Sequence, residues 1–314
     1  MSIGACLLIY SVAVLIIGPS MLRSLTRSGH APKCGVAAWL IAIGSVLVTW
    51  LTIVLLLIID AIAHWQRRGS LVVSCIKFLC EIAAGNRGFA PQAILLALIS
   101  AAVVGIAVFG VRFTRTVARL RIHAHGHAHA VRLVGRPTTE RDVYVVDAAE
   151  RVAYCVEGKP DTIVVTTATV AALASPELRA VVAHERAHLD GHHLRIVTVL
   201  RGLAAAFPHL ALITQGVDEV SRLLEMCADD VAARRYGHAP LLTGLLALAG
   251  GAPASALGAA DIAVLNRAER LALPPAQRVR VRAQAALTSA STLIAVAPVG
   301  TLVLGASGML MCGG

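Results

Sequence analysis

Ser175–Asp190 reads SPELRAVVAHERAHLD, and this stretch decides what kind of domain the chain builds. Ser175-Pro176-Glu177 suits a helix start: serine can cap, proline takes the first helical position and an acid sits in the first turn. Apolar residues then recur at helical spacing through Leu178, Val181, Val182 and Leu189. On this helix stands His184-Glu185-Arg186-Ala187-His188. Residues four apart share a helical face, so both imidazoles can meet one metal ion while Glu185, the next residue along, reaches a water held beside it. With 12 His and 9 Glu in 314 residues, chance would produce such a motif roughly 0.01 times. The alternative is a surface helix whose charged side chains merely face water.

A hydrolytic zinc site takes three protein ligands and leaves one position open. Two places compete for the third ligand. The extended form of the motif has a glycine at the position of Gly191 and a histidine at 194; position 194 is Leu, and His193 misses by one. Downstream, Glu225-Met226-Cys227-Ala228-Asp229 puts two acids four residues apart on one face of a second helix. There Glu225 would bind the ion and Asp229 would accept the ring N–H of a ligating histidine. The plain alternative is an acidic pair on a solvated face, which is mildly unfavourable without a nearby cation.

Upstream of the helix, Asp142–Asp147, Arg151–Val156 and Asp161–Thr166 are β-branched runs separated by turn-formers such as Gly158-Lys159-Pro160. They predict three short strands in a small meander, with Thr162–Thr166 as an exposed edge for an extended substrate. Between the two acidic and histidine motifs, Gly202–Gly216 is apolar but short and broken by Pro208 and His209. It is expected to pack in the domain or dip into the leaflet, since a single crossing would separate His184 from Glu225.

Composition sets the surroundings. Hydrophobic residues make up 57% of the chain and charged ones 15%, with a mean hydropathy of +0.75, which excludes an ordinary soluble globule, a coiled coil and a disordered tail. Four stretches reach spanning length: Ile3 to Leu22, Gly35 to Ile59, Gln92 to Val111 and Ser289 to Met309. The links Arg23–Lys33 and Arg112–Arg136 are basic without acids, and Arg267, Arg270, Arg278, Arg280 and Arg282 precede the last span. All three point to the cytoplasm, against a dissenting basic loop from Ala63 to Gly88. The net charge of +10 therefore reads as topology and anionic lipid contact, and no nucleic-acid motif is present. The four spans hold almost no ionisable residue beyond Asp60, which disfavours a transporter. This yields a membrane domain over 1–111 with three transmembrane helices, a polar cytoplasmic domain over 112–283 and a last transmembrane helix over 284–314.

Two features stand apart. The seven cysteines form no Cys-x-x-Cys pair; Cys75 and Cys80 would pair only in an oxidising compartment. His123, His125, His127 and His129 alternate with small residues after the third span. On a strand they would share one face, but the setting favours a helix, hence a solvated linker rather than a metal or pH-sensing ladder.

Taken in order, three spans, the strands, HERAH, the Phe207-Pro208 turn, EMCAD and a final span resemble the membrane zinc metallopeptidases related to the beta-lactam-sensing antirepressors of bacteria, in the gluzincin clan. The resemblance is strongest over Ala183–His193 and Glu225–Asp229, with support at Ala153-Tyr154-Cys155-Val156. It implies an α-helical integral membrane protein with about four transmembrane helices and a mostly α (α+β) cytoplasmic gluzincin-type metallopeptidase domain. It further implies one zinc ion on His184, His188 and Glu225, Glu185 as general base and Asp229 supporting a ligand from outside. The expected setting is the bacterial inner membrane, with a protein or peptide substrate such as a transcriptional repressor, and without the penicillin-binding sensor that longer members carry after the last span. Heat-shock and prenyl-protein membrane peptidases share the same two motifs, and a non-catalytic, zinc-stabilised signalling protein is the alternative from another class. Tyr236 and Arg234 are candidates for assisting the oxyanion.

Overall fold

The computed structural model describes the backbone of residues 3–64, 89–140, 142–249 and 259–306, and most of their side chains. Helices α1 (Ile3–Thr26), α2 (Pro32–His64) and α3 (Phe89–Val134) come first. Strands β1 (Arg136–Pro137), β2 (Val143–Val146), β3 (Ala153–Val156) and β4 (Thr162–Thr166) follow. Then come α4 (Thr167–Ala172), α5 (Ser175–Asp190), α6 (His193–Ala206), α7 (Ala211–Tyr236), α8 (His238–Ala249), α9 (Ala259–Ala272) and α10 (Gln277–Ala306). Among the described residues three helices are long and apolar enough to cross a membrane: Ile3–Thr26, Pro32–Leu56 and Gln277–Val303. The stretch Gln92–Val111 lies within α3, but most of its side chains fall outside the described residues. So do the side chain of Asp60, most of the loop Ala63–Gly88 with Cys75 and Cys80, and the 250–258 break.

The three expected strands form, but they are not a meander. Their order is β1-β2-β4-β3, with β4 parallel to β2 and antiparallel to β3. The cause is apolarity: every residue of β4 is buried, and a strand covered on both faces belongs in the middle of a sheet. Thr162–Thr166 is thus a central strand and not the exposed edge; that place belongs to β3. The chain between β2 and β3 has to pass over the end of β4, and threonine hydroxyls hold it there. Thr166 Oγ1 donates to Glu150 O at 2.6 Å and accepts from Val152 N at 3.2 Å, while Thr167 Oγ1 accepts from Ala148 N at 3.2 Å.

Helix α5 lies against the sheet through Val182 and Leu189, which meet Val143, Ile163 and Val165. Its opposite side offers Ala180 and Ala183 to Ala232, Ala233, Leu241 and Leu271, and these small residues let α7 approach closely. The helix starts at Ser175 itself, so Ser175 is not its cap; instead the Glu177 carboxylate accepts from the N–H of Ala174 at 2.8 Å. On the far side of the sheet, Ala128 and Val131 of α3 pack on Val156 and Val164. The histidine run 123–129 is helical, as its setting predicts. His127 Nε2 lies 2.7 Å from the Tyr154 hydroxyl, and His125 Nδ1 lies 2.7 Å from Arg121 O.

Helices α6 and α7 form a hairpin that returns alongside the apolar helices. At its tip, Phe207 packs on Trp50 (ring centroids 5.9 Å apart) and Phe109 (4.9 Å). Further along α7, Leu212, Ile213 and Val220 share a core with the fully buried Trp39, Ile43 and Val46 of α2. Because the hairpin goes in and comes back, its apolar length does not part His184 from Glu225. The middle of α7 lies beside the α1–α2 turn, where Arg222 Nη2 donates to Thr26 O (2.9 Å), and from α9 Arg270 Nε donates to Gly29 O (3.1 Å).

A charged clip joins α5 to the sheet. Arg186 gives Nε and Nη2 to the two carboxylate oxygens of Asp142 at 2.9 and 2.8 Å, and reaches Glu140 at 2.6 Å. Burial works against the charge on Asp142, but the Arg186 guanidinium outweighs it and holds the carboxyl below the usual range. A folded-state pKa below the unfolded one contributes stability that is complete above about pH 4 and is lost as the pH falls through the folded value. Asp142→Asn is expected to cost about 1 kcal/mol at pH 7. The gap to wild type should narrow as the pH falls through the folded value; thermal unfolding of the detergent-solubilised protein at pH 7 and along an acid series measures both.

Candidate metal centre

Helical spacing on α5 and α7 delivers the donors the sequence singled out. His184 and His188 sit one turn apart on α5, both buried, and Glu225 faces them from α7. His184 Nε2 lies 3.2 Å from His188 Nε2 and 3.4 Å from Glu225 Oε2, and His188 Nε2 lies 3.5 Å from Glu225 Oε1. A tetrahedral zinc ion about 2.05 Å from each donor would hold them about 3.3 Å apart. The donor set fits such an ion without rearrangement, and among the described residues it is the one group of His, Cys, Asp and Glu so placed. The His123–His129 run forms no such group.

Asp229 stands one turn beyond Glu225, fully buried, with Oδ1 3.1 Å from His184 Nδ1, though without a well-aligned hydrogen bond. The residue that sequence reasoning missed is Arg267 of α9. Its Nε and Nη2 donate to Asp229 Oδ2 and Oδ1 at 2.8 and 2.7 Å, and Nη1 lies 3.0 Å from Glu225 Oε2. In the sequence Arg267 is one of several arginines before the last span and reads as a topology marker; only the fold brings it to the site. Tyr236 and Arg234, weighed for the oxyanion, do not line the cavity.

Three carboxylates, Glu185, Glu225 and Asp229, gather here around the Arg267 guanidinium and the two imidazoles. Burial opposes charge on His184, but Asp229 and Glu225 beside it prevail and lift its pKa to about 9. Burial pushes His188 down to about 4, and so keeps it neutral. Burial also opposes the charge on Glu225, yet His184 and Arg267 hold its carboxyl down to about 2. Glu185 behaves otherwise: burial, with Glu225 nearby, raises its carboxyl above the usual range.

These groups open on a cavity of about 380 Å³ whose walls include His184, Glu185, His188, Glu225 and Arg267. Edge strand β3 supplies Ala153, Tyr154 and Cys155, and α8 supplies Leu241, Leu245 and Leu248. The Cys155 thiol, buried and beside Glu185, is pushed well above its ordinary pKa and stays protonated.

Removing Arg267 tests the network directly. Arg267→Met would leave the Asp229 carboxylate buried without its two-pronged partner, an arrangement that costs about 3–5 kcal/mol. Arg267→Lys, which keeps the charge but not the fork, should lose less. Chemical denaturation of the metal-free proteins ranks the three.

No curated protein and no solved structure matches the chain. The match to a family model covers residues 115–207, from the latter part of α3 through the sheet and α5 to the hairpin tip. It ends before α7, so Glu225, Asp229 and Arg267 lie outside the matched residues. Over those matched residues the chain is similar to peptidase family M48, whose peptidases are zinc-dependent.

Proposed function

We propose that the chain is an integral membrane zinc endopeptidase that cleaves a cytoplasmic or membrane-proximal protein in regulatory or stress signalling. The observation that carries this reading is the convergence of His184, His188 and Glu225 at tetrahedral-ligand spacing in one cavity with Glu185. Those three residues would hold the ion, with Asp229 and Arg267 supporting them from behind. When bound, zinc supplies Lewis acidity toward a carbonyl oxygen and a lowered pKa for water.

The chain's own groups do the rest. Glu185 is buried with a raised carboxyl pKa, which suits it to take a proton from water and return it to a leaving amine. Strand β3 lies at the end of the sheet and borders the cavity, so an extended peptide can pair with its main chain. The leucines of α8 give the opposite wall an apolar character suited to an apolar substrate side chain. The α1–α2 turn packs on the middle of α7 at Arg222 and Met226, one turn or less from Glu225, a nearness that supports substrates that emerge from, or dock on, the bilayer. The antirepressor relationship rests on the order of motifs in the chain, and the cytoplasmic orientation on its basic links.

Glu185→Gln should lower cleavage by about 10²–10⁴-fold while one zinc per chain remains bound. Proteomic comparison of cells carrying wild type and Glu185→Gln, looking for a fragment that vanishes, together with metal analysis of the two proteins, checks both halves. A zinc-stabilised protein without catalytic activity would lose no fragment.

A further inference from the structure

We infer that His193 is a positioning residue for His188, fixing which ring nitrogen of that histidine faces the metal. The inference rests on the zinc reading of the site. In the sequence His193 misses a ligand position by one residue; in the fold it stands behind His188. Its Nδ1 lies 3.0 Å from His188 Nδ1, with the rings 4.9 Å apart and crossed at 89°. One hydrogen must lie between those two nitrogens. His188 Nε2 points to His184 and Glu225, so a ligating His188 keeps that lone pair free and carries its proton on Nδ1. His193 Nδ1 is then the acceptor, and a neutral His193 carries its own proton on Nε2. Without an acceptor there, His188 would be free to adopt the opposite tautomer, which blocks the ligand atom.

The backbone is shaped around this ring. Helix α5 ends at Gly191, and His192 takes a left-handed conformation, φ 53°, the one non-glycine residue with positive φ among those described. Such a conformation is uncommon for a side-chain-bearing residue and marks a local constraint. A Cβ on Gly191 would collide with His193 Nε2 and come within 2.6 Å of its Cδ2. A missing side chain, a strained residue and an immediate helix restart at His193 therefore combine to lay one buried imidazole against a ligand histidine. The two ligand histidines also differ in what stands behind them: a carboxylate, Asp229, for His184 and an imidazole for His188.

The test measures zinc affinity of the full-length detergent-solubilised protein by competition with a chromophoric chelator. Removing the partner of a ligating histidine typically weakens binding about 10–100-fold, the loss expected of His193→Phe. His193→Asn, whose side-chain oxygen sits where Nδ1 does and can accept the same bond, should stay within about threefold of wild type, well short of that loss. Should the Phe protein not fold, His193→Ala replaces it with the same expectation. Equal affinity in wild type and the Phe or Ala protein overturns the inference. So does an equal loss in the Asn protein, because the ring rather than its acceptor would then matter. A wild-type protein that binds no zinc instead removes the metal reading itself, an outcome distinct from either.

Discussion

The close face-to-face packing of α5 on α7 is the contact on which the site depends. Two histidines one turn apart on one helix and two acids one turn apart on another can form a single cluster only if the helices touch along those turns. Ala180 and Ala183 on one side and Ala232 and Ala233 on the other keep the separation small. The polar cluster then fills the seam, and Arg267 closes it from α9. This seam takes charge out of water: carboxylates, a guanidinium and two imidazoles meet in it, and its aspartate is fully buried. Burying charge in this way is unfavourable for stability, and its retention is understandable where the charges serve an ion.

How much of this was legible depends on whether the information is local. HERAH and EMCAD could be read because a helix turns four-residue spacing into a shared face, and Glu225 indeed meets His184 and His188. The three strands could be read from their β-branched runs. Their order could not, because β4 reaches its central place by pairing in parallel with β2, a contact that no turn residue announces. The exposed edge was assigned to Thr162–Thr166 for the same reason, although a run with no polar position apart from threonine argues for burial on both faces. Arg267 was hidden among arginines that carry a different message, and His193 was judged only as a ligand. Its position one residue off the motif is where an outer partner stands when the helix ends in a left-handed turn.

The apolar stretch around Phe207 shows how hydropathy alone can mislead in either direction. It is neither a crossing nor a purely soluble core element. The stretch folds back on itself beside α2, with aromatic rings at the tip and leucine and isoleucine along the returning leg, so it shares the environment of the apolar helices and still leaves both motifs on the same side.

Helix α7 is a single unbroken rod from that tip to Tyr236. Each residue of such a rod advances about 1.5 Å and turns about 100°, so Glu225 inherits its position from the seating of Leu212, Ile213 and Val220 against Trp39 and Ile43. A slip of one residue at the apolar end would swing the carboxylate out of reach of the imidazoles. The tolerance of the candidate metal face is therefore set up to 13 residues away, 225 − 212, among side chains that carry no charge at all.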